Sequence, residues 1–551
     1  MALGTFDRAR ALAELGDREF DVLVVGGGVT GCGVALDAAS RGLRTALVER
    51  EDFASGTSSK SSKMVHGGLR YLQNGDVRLV YEALRERQRL RRNAPHLVGL
   101  LPFLIPILSK DGLIHPKVAR ALGSAMWMYD LTGGARIGKL HKRLKRDEVA
   151  AHMPTLPTER LAGGYLYYDA AADDARLTLA LARTAALDHG ATIVNHAAVV
   201  ALRHDDRGRC EGAVVEADGH RIEVRARAVV NAAGVWADRV RSLDSGTEAQ
   251  TIRPAKGVHI AVPWAKVRND IAVVVPVPGD KRSVFVVPWL PQGDGTFALT
   301  YIGTTDTDYD GPLEDPTCTT EDVEYLLRAI NGAVRDPISA DDIVGTWAGL
   351  RPLVRSATSG RTADLSRRHR VEVSDTGVVS ITGGKLTTYR EMAEDTMAVV
   401  VDRLDGLPRS ARRCRTRALP LRGAGPLEEG TDPHLAARYG TEARVLEALV
   451  EADASLGEPI VPGLPYRRAE VVFAVRHEMA RTVDDVLSRR TRARLQDARG
   501  SVAAAPVVAA LMAEELGWSS HEVAAQVRAY ADAVAADLAA GQLAPAPDPT
   551  T

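Results

Sequence analysis

The stretch from Phe20 to Gly31, FDVLVVGGGVTG, limits the fold of this chain more than any other. Residues 20–26 are short, Val-rich and end in glycine, the pattern of a strand buried on both faces. A helix is predicted over about 29–41, ending near Gly42, and residues 44–49 (RTALVE) read as a second buried strand. Between the first strand and the helix stands Gly26-Gly27-Gly28-Val29-Thr30-Gly31, which fits G-x-G-x-x-G. Gly26 permits a tight turn, Gly28 lets a pyrophosphate approach the backbone, and Gly31 lets the helix pack on the strand. The helix start at Val29 and Thr30 offers free N–H groups and a positive dipole end to the phosphates. Glu49 ends the second strand, 18 positions past Gly31, where it can accept hydrogen bonds from a ribose diol and disfavour a 2′-phosphate. Together these form a βαβ dinucleotide-binding unit; the plain alternative is a glycine-rich turn with no ligand.

Two later junctions decide which dinucleotide. Residues 228–234 (AVVNAAG) read as a strand ending in small residues, Ala233 and Gly234, suited to close approach of a bound adenosine. Residues 379–388 (VSITGGKLTT) place Gly383-Gly384 before Lys385, Leu386 and Thr387 at another strand-to-helix junction. Its helix N-terminus can face a flavin pyrimidine ring, where reduction adds negative charge. Alone, each junction reads as a packing turn. Three in one chain are better explained by FAD lying across them than by NAD.

At 551 residues the chain has room for about three domains. Its net charge of −1 gives no global field for nucleic acid. Cys32, Cys210, Cys318 and Cys414 are scattered without a CxxC pair, which argues against a zinc site, a disulfide framework or a redox dithiol. The longest apolar run, Leu97–Leu108, is 12 residues with Pro102 and Pro106 inside, too short for a membrane span and suited to a bent, buried strand. The first 20 residues carry Glu14 and Asp17 and lack an apolar signal core, so no export signal is expected. Residues 77–92 read as an exposed basic helix and 175–189 as another helix. Strands are expected at 191–202, 211–217 and 221–231, and a largely antiparallel sheet over 252–305. A Gly-, Pro- and Arg-rich break at 405–435 precedes a helical unit over 436–541. The fold class is therefore α/β: a Rossmann-like nucleotide-binding domain, an α+β domain of mostly antiparallel sheet, and a C-terminal helical cap domain.

A run of motifs then carries a resemblance. TGCGVALDAASRGL at 30–43, SSKMVHGGLRYL at 61–72, DDARL at 173–177, NAAGVWAD at 231–238, KGVH at 256–259, GLRPL at 349–353 and GGKLTTYR at 383–390 together resemble FAD-dependent glycerol-3-phosphate dehydrogenases, in the D-amino-acid-oxidase-like flavoprotein group. RHEMARTVDDVLSRRTRARL at 476–495 is similar to the helical cap of that family. The resemblance covers about residues 15–540. It implies a discontinuous FAD-binding domain (15–75, 158–250, 345–405), a substrate-binding domain (76–157, 251–344), a helical domain (406–541) and a disordered tail (542–551). It also implies a non-covalent FAD lined by Thr57, Ser58, Lys63 and Met64, with the backbone near Val199 meeting the adenine.

The implied reaction removes hydride from C2 of glycerol 3-phosphate and a proton from its hydroxyl. Such a site needs cations for the phosphate and a base for the hydroxyl. Arg suits phosphate because its planar fork donates two parallel hydrogen bonds. The motifs supply Arg70, Arg351, Arg367 and Lys385, with Tyr71 lining the pocket. Arg351 precedes Pro352 in an expected loop and can also stabilise a developing alkoxide; its plain reading is a surface ion pair. His259 is the candidate general base, His66 the second candidate or a group that orients the ring; a structural histidine is the alternative for His259. Asp173 and Asp174 read as a helix N-cap. The partners implied are glycerol 3-phosphate, a quinone acceptor, a peripheral membrane contact through basic patches at 85–92 and 139–146, for which a solvated helix face is the equal alternative, and a second copy of the chain, on the cytoplasmic face of the plasma membrane. No metal is expected. An oxidase of the same fold acting on glycerol 3-phosphate or an amine remains an alternative, as does a non-catalytic flavin-binding regulator, which the cationic set disfavours.

Overall fold

The computed structural model describes residues 6–68, 77–108, 116–133, 137–280, 282–355 and 368–549, side chains of 116–122 excepted. Val22–Val25 lies at the middle of a six-stranded sheet. It pairs in parallel with Thr45–Val48 on one side and Val229–Asn231 on the other. Thr192–Val194 and Val379–Thr382 extend the sheet in parallel, and Arg370–Val373 adds an antiparallel edge. Every residue of Val22–Val25 and Thr45–Val48 is buried. Burying each valine contributes about 1.5–3 kcal/mol, and helices on the faces make this possible. The helix Val29–Ser40 packs against Asp174–Leu187 and Tyr389–Arg403 and is buried almost all round. It therefore needs small and apolar residues on every side, as its sequence VTGCGVALDAAS supplies.

The second body is a large sheet centred on Ile252–Pro263. That strand pairs antiparallel with Gly345–Val354 on one flank and Phe297–Gly303 on the other. Ser283–Pro291, Ala272–Pro276, Val98–Leu108 and Leu161–Ala172 follow in order. All these joints are antiparallel except Ala272–Pro276 against Val98–Leu108. Two stretches expected in the nucleotide-binding domain belong here instead. Leu161–Ala172 pairs along its length with Val98–Leu108, and Gly345–Val354 pairs with Ile252–Pro263. Their backbone hydrogen bonds, rather than their closeness to flavin motifs in sequence, decide the sheet they join. Arg351 consequently sits in a strand opposite Ala255, not in a loop.

Other expectations are corrected by long-range pairing. The stretch 191–202 splits into Thr192–Val194 and Ala198–His204, which join different sheets across a turn where His196 has φ +48°. The stretch 221–231 splits likewise into His220–Ala226 and Val229–Asn231. The helix Val77–Asn93 forms as expected but is not an exposed basic surface. Arg87 is fully buried, 2.5 Å from Asp169, and buried Glu86 pairs with Arg390 at 2.6 Å. Arg85 pairs with Glu391 at 2.8 Å. Residues 542–544, expected to start a disordered tail, pack: Leu543 is buried, and the Ala544 carbonyl accepts from Arg499 Nε at 3.0 Å.

The C-terminal helices, from Pro433–Tyr439 to Ser520–Ala540, dock through buried arginines on and beside the π-helix Asp485–Arg490. Arg490 grips Asp52 with two nitrogens at 2.6 and 2.8 Å, and Arg489 Nε reaches the same carboxylate at 2.6 Å. Asn195 donates to Asp52 at 3.0 Å. Arg492 holds Asp173 at 2.8 Å and also binds Asp174. Asp52, His196 and Asp485 bring ligand atoms within 4.8 Å of one another, yet Arg489 and Arg490 already neutralise those carboxylates. Removing one partner of such a set leaves buried charge uncompensated. Asp52→Ala should therefore lower stability by about 3–5 kcal/mol in denaturant unfolding followed by circular dichroism; a loss below about 1 kcal/mol would contradict this role.

Candidate active site

The first three parallel strands and Val379–Thr382 end at one edge of the six-stranded sheet, and the predicted flavin residues gather there. Gly26 has φ +112°, and a Cβ on it would stand 2.8 Å from the Ala232 carbonyl oxygen. A Cβ on Gly31 would overlap the Gly26 carbonyl, so both positions keep the turn closed only as glycine. Gly28 is the N-cap of the helix and lends it no side-chain cap. The Val29 N–H instead donates to Ser58 Oγ at 2.9 Å. Glu49 accepts from the Gly27 and Glu51 N–H groups at 2.5 and 2.9 Å. Burial raises the pKa of its carboxyl, and these two donors oppose the rise. The Ala197 N–H donates to the Glu49 carbonyl at 2.7 Å, so the strand bearing Val199 starts beside the expected ribose acid.

The other two junctions adjoin this turn. Ala233 N–H donates to Asn231 Oδ1 at 3.2 Å and Gly234 follows with φ +59°. Gly383 and Gly384 have φ +75° and +82°, ahead of the short turn Leu386–Thr388 capped by Lys385. The structure thus brings together backbone-lined turns at four adjacent strand ends. A side chain at Gly26 or Gly31 would fill or break that cradle. These residues fit the pyrophosphate, ribose and ring of a flavin dinucleotide.

One face of the large sheet carries the candidate chemistry. Opposed residues share a face, so Trp347, His259, Gly303 and Phe285 form a single row. His259 is buried and stacks on Trp347, with centroids 4.7 Å apart and planes 7° apart. Its other side leans over Gly303, where a Cβ would stand 2.6 Å from the ring Cγ. Its Nε2 is 2.8 Å from Ser62 Oγ, while its buried Nδ1 has no hydrogen-bond partner among the described residues. Burial drives its pKa well below the ordinary value, and Lys63 and Arg351 push it the same way. At the far end of the row Phe285 meets His66 edge-on at 6.4 Å. The His66 N–H donates to Thr387 Oγ1 at 3.2 Å, tying this face to the Gly383–Gly384 loop.

Arg351 shares the face with Trp347 and lies across Gly257, whose absent side chain makes room for the guanidinium. It donates to Asp306 at 3.0 Å and to Thr304 and Thr305. Lys63 is buried beside Asp174 at 3.3 Å and 4.8 Å above the Trp347 ring. Burial pulls its pKa down to about 8. Thr57 Oγ1 donates to the Leu350 carbonyl at 2.5 Å, and Met64 begins the short strand Met64–Val65. Arg70, Tyr71 and Arg367 lie outside the described residues. Asp173 is the N-cap of the helix after it, accepting from Arg176 N–H at 3.2 Å. Asp174 is not: it accepts from Ser61 N–H and Oγ at 3.1 and 2.6 Å. Sequence reasoning missed Ser62, Trp347, Phe285 and Asp174. The signal available was parity, since Trp347 and Arg351 fall on one face of a strand aligned with Ala255, Gly257 and His259.

Known proteins match this geometry along the whole chain. The family described as FAD dependent oxidoreductase matches residues 21–390, and the C-terminal domain of alpha-glycerophosphate oxidase matches 375–523. Glycerol-3-phosphate dehydrogenase 2 of Mycobacterium tuberculosis is 40% identical over 98% of this chain and 92% of its own. The mitochondrial glycerol-3-phosphate dehydrogenase of Rattus norvegicus is 38% identical over 91% of this chain and 71% of its own. A crystal structure of the glycerol-3-phosphate dehydrogenase of Bacillus halodurans, complexed with FAD, superimposes with a TM-score of 0.74 at 30% identity, covering 98% of both chains. The chain belongs to the FAD dependent oxidoreductase family and, within it, to the glycerol-3-phosphate dehydrogenases.

Proposed function

We propose that this chain oxidises sn-glycerol 3-phosphate to dihydroxyacetone phosphate and passes the electrons to a quinone at the cytoplasmic face of the plasma membrane. The names of its relatives support the substrate. The structural observation that carries the reading is a buried His259 stacked on Trp347, with Lys63 and Arg351 nearby, on a sheet face tied to the Gly383–Gly384 loop. FAD, held without a covalent link, would supply the two-electron, hydride-accepting chemistry when bound. His259 takes the C2 hydroxyl proton. Arg351, oriented by Asp306 and Thr304, and Lys385 supply positive charge for the phosphate and for the oxygen as its proton leaves. Burial behind Trp347 keeps water off the imidazole and strengthens each of these interactions.

A membrane quinone is favoured over oxygen by the surface. Val77, Tyr81, Trp127, Met128, Leu131 and Leu140 are exposed, Leu131 to 82% and Trp127 to 56%. They lie on the touching helices Val77–Asn93 and Pro116–Thr132 and the turn after them, where His141 meets Trp127 at 4.9 Å. Lys139, Lys142, Arg143, Lys145 and Arg146, around and after Leu140 in the chain, are exposed too. Exposed apolar side chains with exposed cations close by in the chain suit an anionic bilayer surface. Among the described residues no helix is long and apolar enough to cross a membrane.

Anaerobic glycerol 3-phosphate should bleach the flavin absorbance, whereas glycine should not; the reverse pattern would assign an amine oxidase. Turnover should be faster with a soluble quinone analogue than with oxygen. His259→Asn should slow flavin reduction by about 10²–10⁴-fold. Because the His259 pKa lies below its ordinary value, the acid limb of kcat/KM should fall below about pH 6.5. Trp127→Glu with Leu131→Glu should abolish cosedimentation with anionic vesicles and leave anaerobic flavin reduction unchanged; persistent binding would place the contact elsewhere.

A further inference from the structure

His259 has two ring nitrogens, and the reaction proposed above can use only one. We infer that Ser62 is a positioning residue that holds His259 in the tautomer carrying its proton on Nε2, leaving the Nδ1 lone pair as the proton acceptor. This rests on the proposed reaction for its catalytic meaning and on geometry for the tautomer itself.

The geometry fixes the ring in three directions. Trp347 covers one face, Gly303 underlies the other, and Ser62 Oγ stands 2.8 Å from Nε2. Nδ1 is buried with no partner among the described residues. Buried N–H groups without an acceptor are rarer than acceptors left short of a donor, so the proton belongs on Nε2 and Ser62 Oγ accepts it. Among the described residues, three charged or titratable groups face the ring. Lys63 from the preceding loop and Arg351 from the neighbouring strand both oppose a positive ring, and Tyr301 meets its edge at 6.2 Å.

Ser62 is itself mounted independently of His259. Asp174 binds the residues on both sides of it: the Ser61 N–H and hydroxyl at 3.1 and 2.6 Å, and Lys63 Nζ at 3.3 Å. Trp347 Nε1–H donates to the Ser61 carbonyl at 3.1 Å, and Tyr301 O–H to the Ser62 carbonyl at 3.0 Å. Lys63 is held at φ +55°, a conformation that persists in a non-glycine residue only when its surroundings over-determine it. Arg492 of the helical domain anchors Asp174 in turn. The hydroxyl is therefore a fixed mount to which the imidazole is fitted. Nδ1 is covered by the protein, so in turnover it has to be uncovered before the C2 hydroxyl proton can pass to it as C2 gives its hydride to the flavin. The Nε2–H stays on Ser62, and the added proton leaves Nδ1 to solvent with product release.

The test combines spectroscopy and kinetics on the FAD-loaded protein. Histidine labelled with ¹⁵N in the ring gives distinct shifts for protonated and bare nitrogens, and His259→Asn identifies the His259 signals by their loss. The wild type should show a protonated Nε2 and a bare Nδ1, and Ser62→Ala should show averaging of the two. Ser62→Ala should also slow anaerobic flavin reduction at saturating substrate by about 10²-fold, with KM changed less than about threefold. Its acid limb should move to lower pH, because the imidazolium loses a hydrogen-bond acceptor. Ser62→Thr, which keeps the hydroxyl, should restore rate and limb. A protonated Nδ1 in the wild type, a wild-type rate in Ser62→Ala, or no rescue by Ser62→Thr would each overturn the inference. If glycerol 3-phosphate fails to reduce the wild-type flavin, the proposed function falls, and the ¹⁵N shifts still decide the tautomer.

Discussion

The pairing of Asp52, Asp173 and Asp174 with Arg489, Arg490 and Arg492 is the interaction on which the remaining architecture leans. All six charges are largely removed from water, a loss that only mutual contact offsets. The carboxylates flank the loop 52–63, and that loop touches every body of the molecule. Its Ala54 N–H meets the Gly27 carbonyl at 3.1 Å, Ser58 caps the nucleotide-binding helix, and Thr57 reaches Leu350 in the large sheet. Lys60 pairs with Asp315 at 2.9 Å and Ser62 with His259. The dinucleotide turn and the candidate base are thus positioned by one segment, and the helical domain clamps it.

What could be read from the chain follows from range. The Gly26–Gly31 turn, the helix after it and Glu49 are fixed by neighbours a few residues away, so spacing reveals them. Ala233-Gly234 and Gly383-Gly384 are visible for the same reason, and the sheet order places them together. The assignment of Leu161–Ala172 and Gly345–Val354 was not legible, because it depends on hydrogen bonds to distant strands. Nor was the interior place of Arg87, an arginine on a helix of many arginines. Its partner Asp169 lies 82 residues on, and nothing local marks Arg87 apart from Arg91 or Arg92. Pro352 suggested a loop around Arg351, yet it faces Pro254 across the ladder, where neither residue has an N–H to give.

The site itself was half legible. His259, Arg351 and Lys63 are named by motifs, but their shared environment comes from strand parity and from small residues opposite large ones. Gly257 accommodates the guanidinium of Arg351, and Gly303 the imidazole of His259. The sheet face is shaped as much by these two missing side chains as by the reactive ones. Ser62 had no signal beyond its place between Ser61 and Lys63, since a hydroxyl gains a role only once a nitrogen is brought to it.

The distance in sequence between Asp52 and Arg490, 438 residues, has a consequence for biogenesis. At roughly 5–20 residues per second, synthesis leaves the Asp52 carboxylate without its arginines for about 20–90 s after it is made. Through that interval the loop 52–63 lacks its clamp, and the sheets around it are complete only once Val379–Thr382 has been made. The last segment made is thus the one that locks the first, and a chain truncated before the arginines would carry the nucleotide turn and His259 without the part that holds them in register.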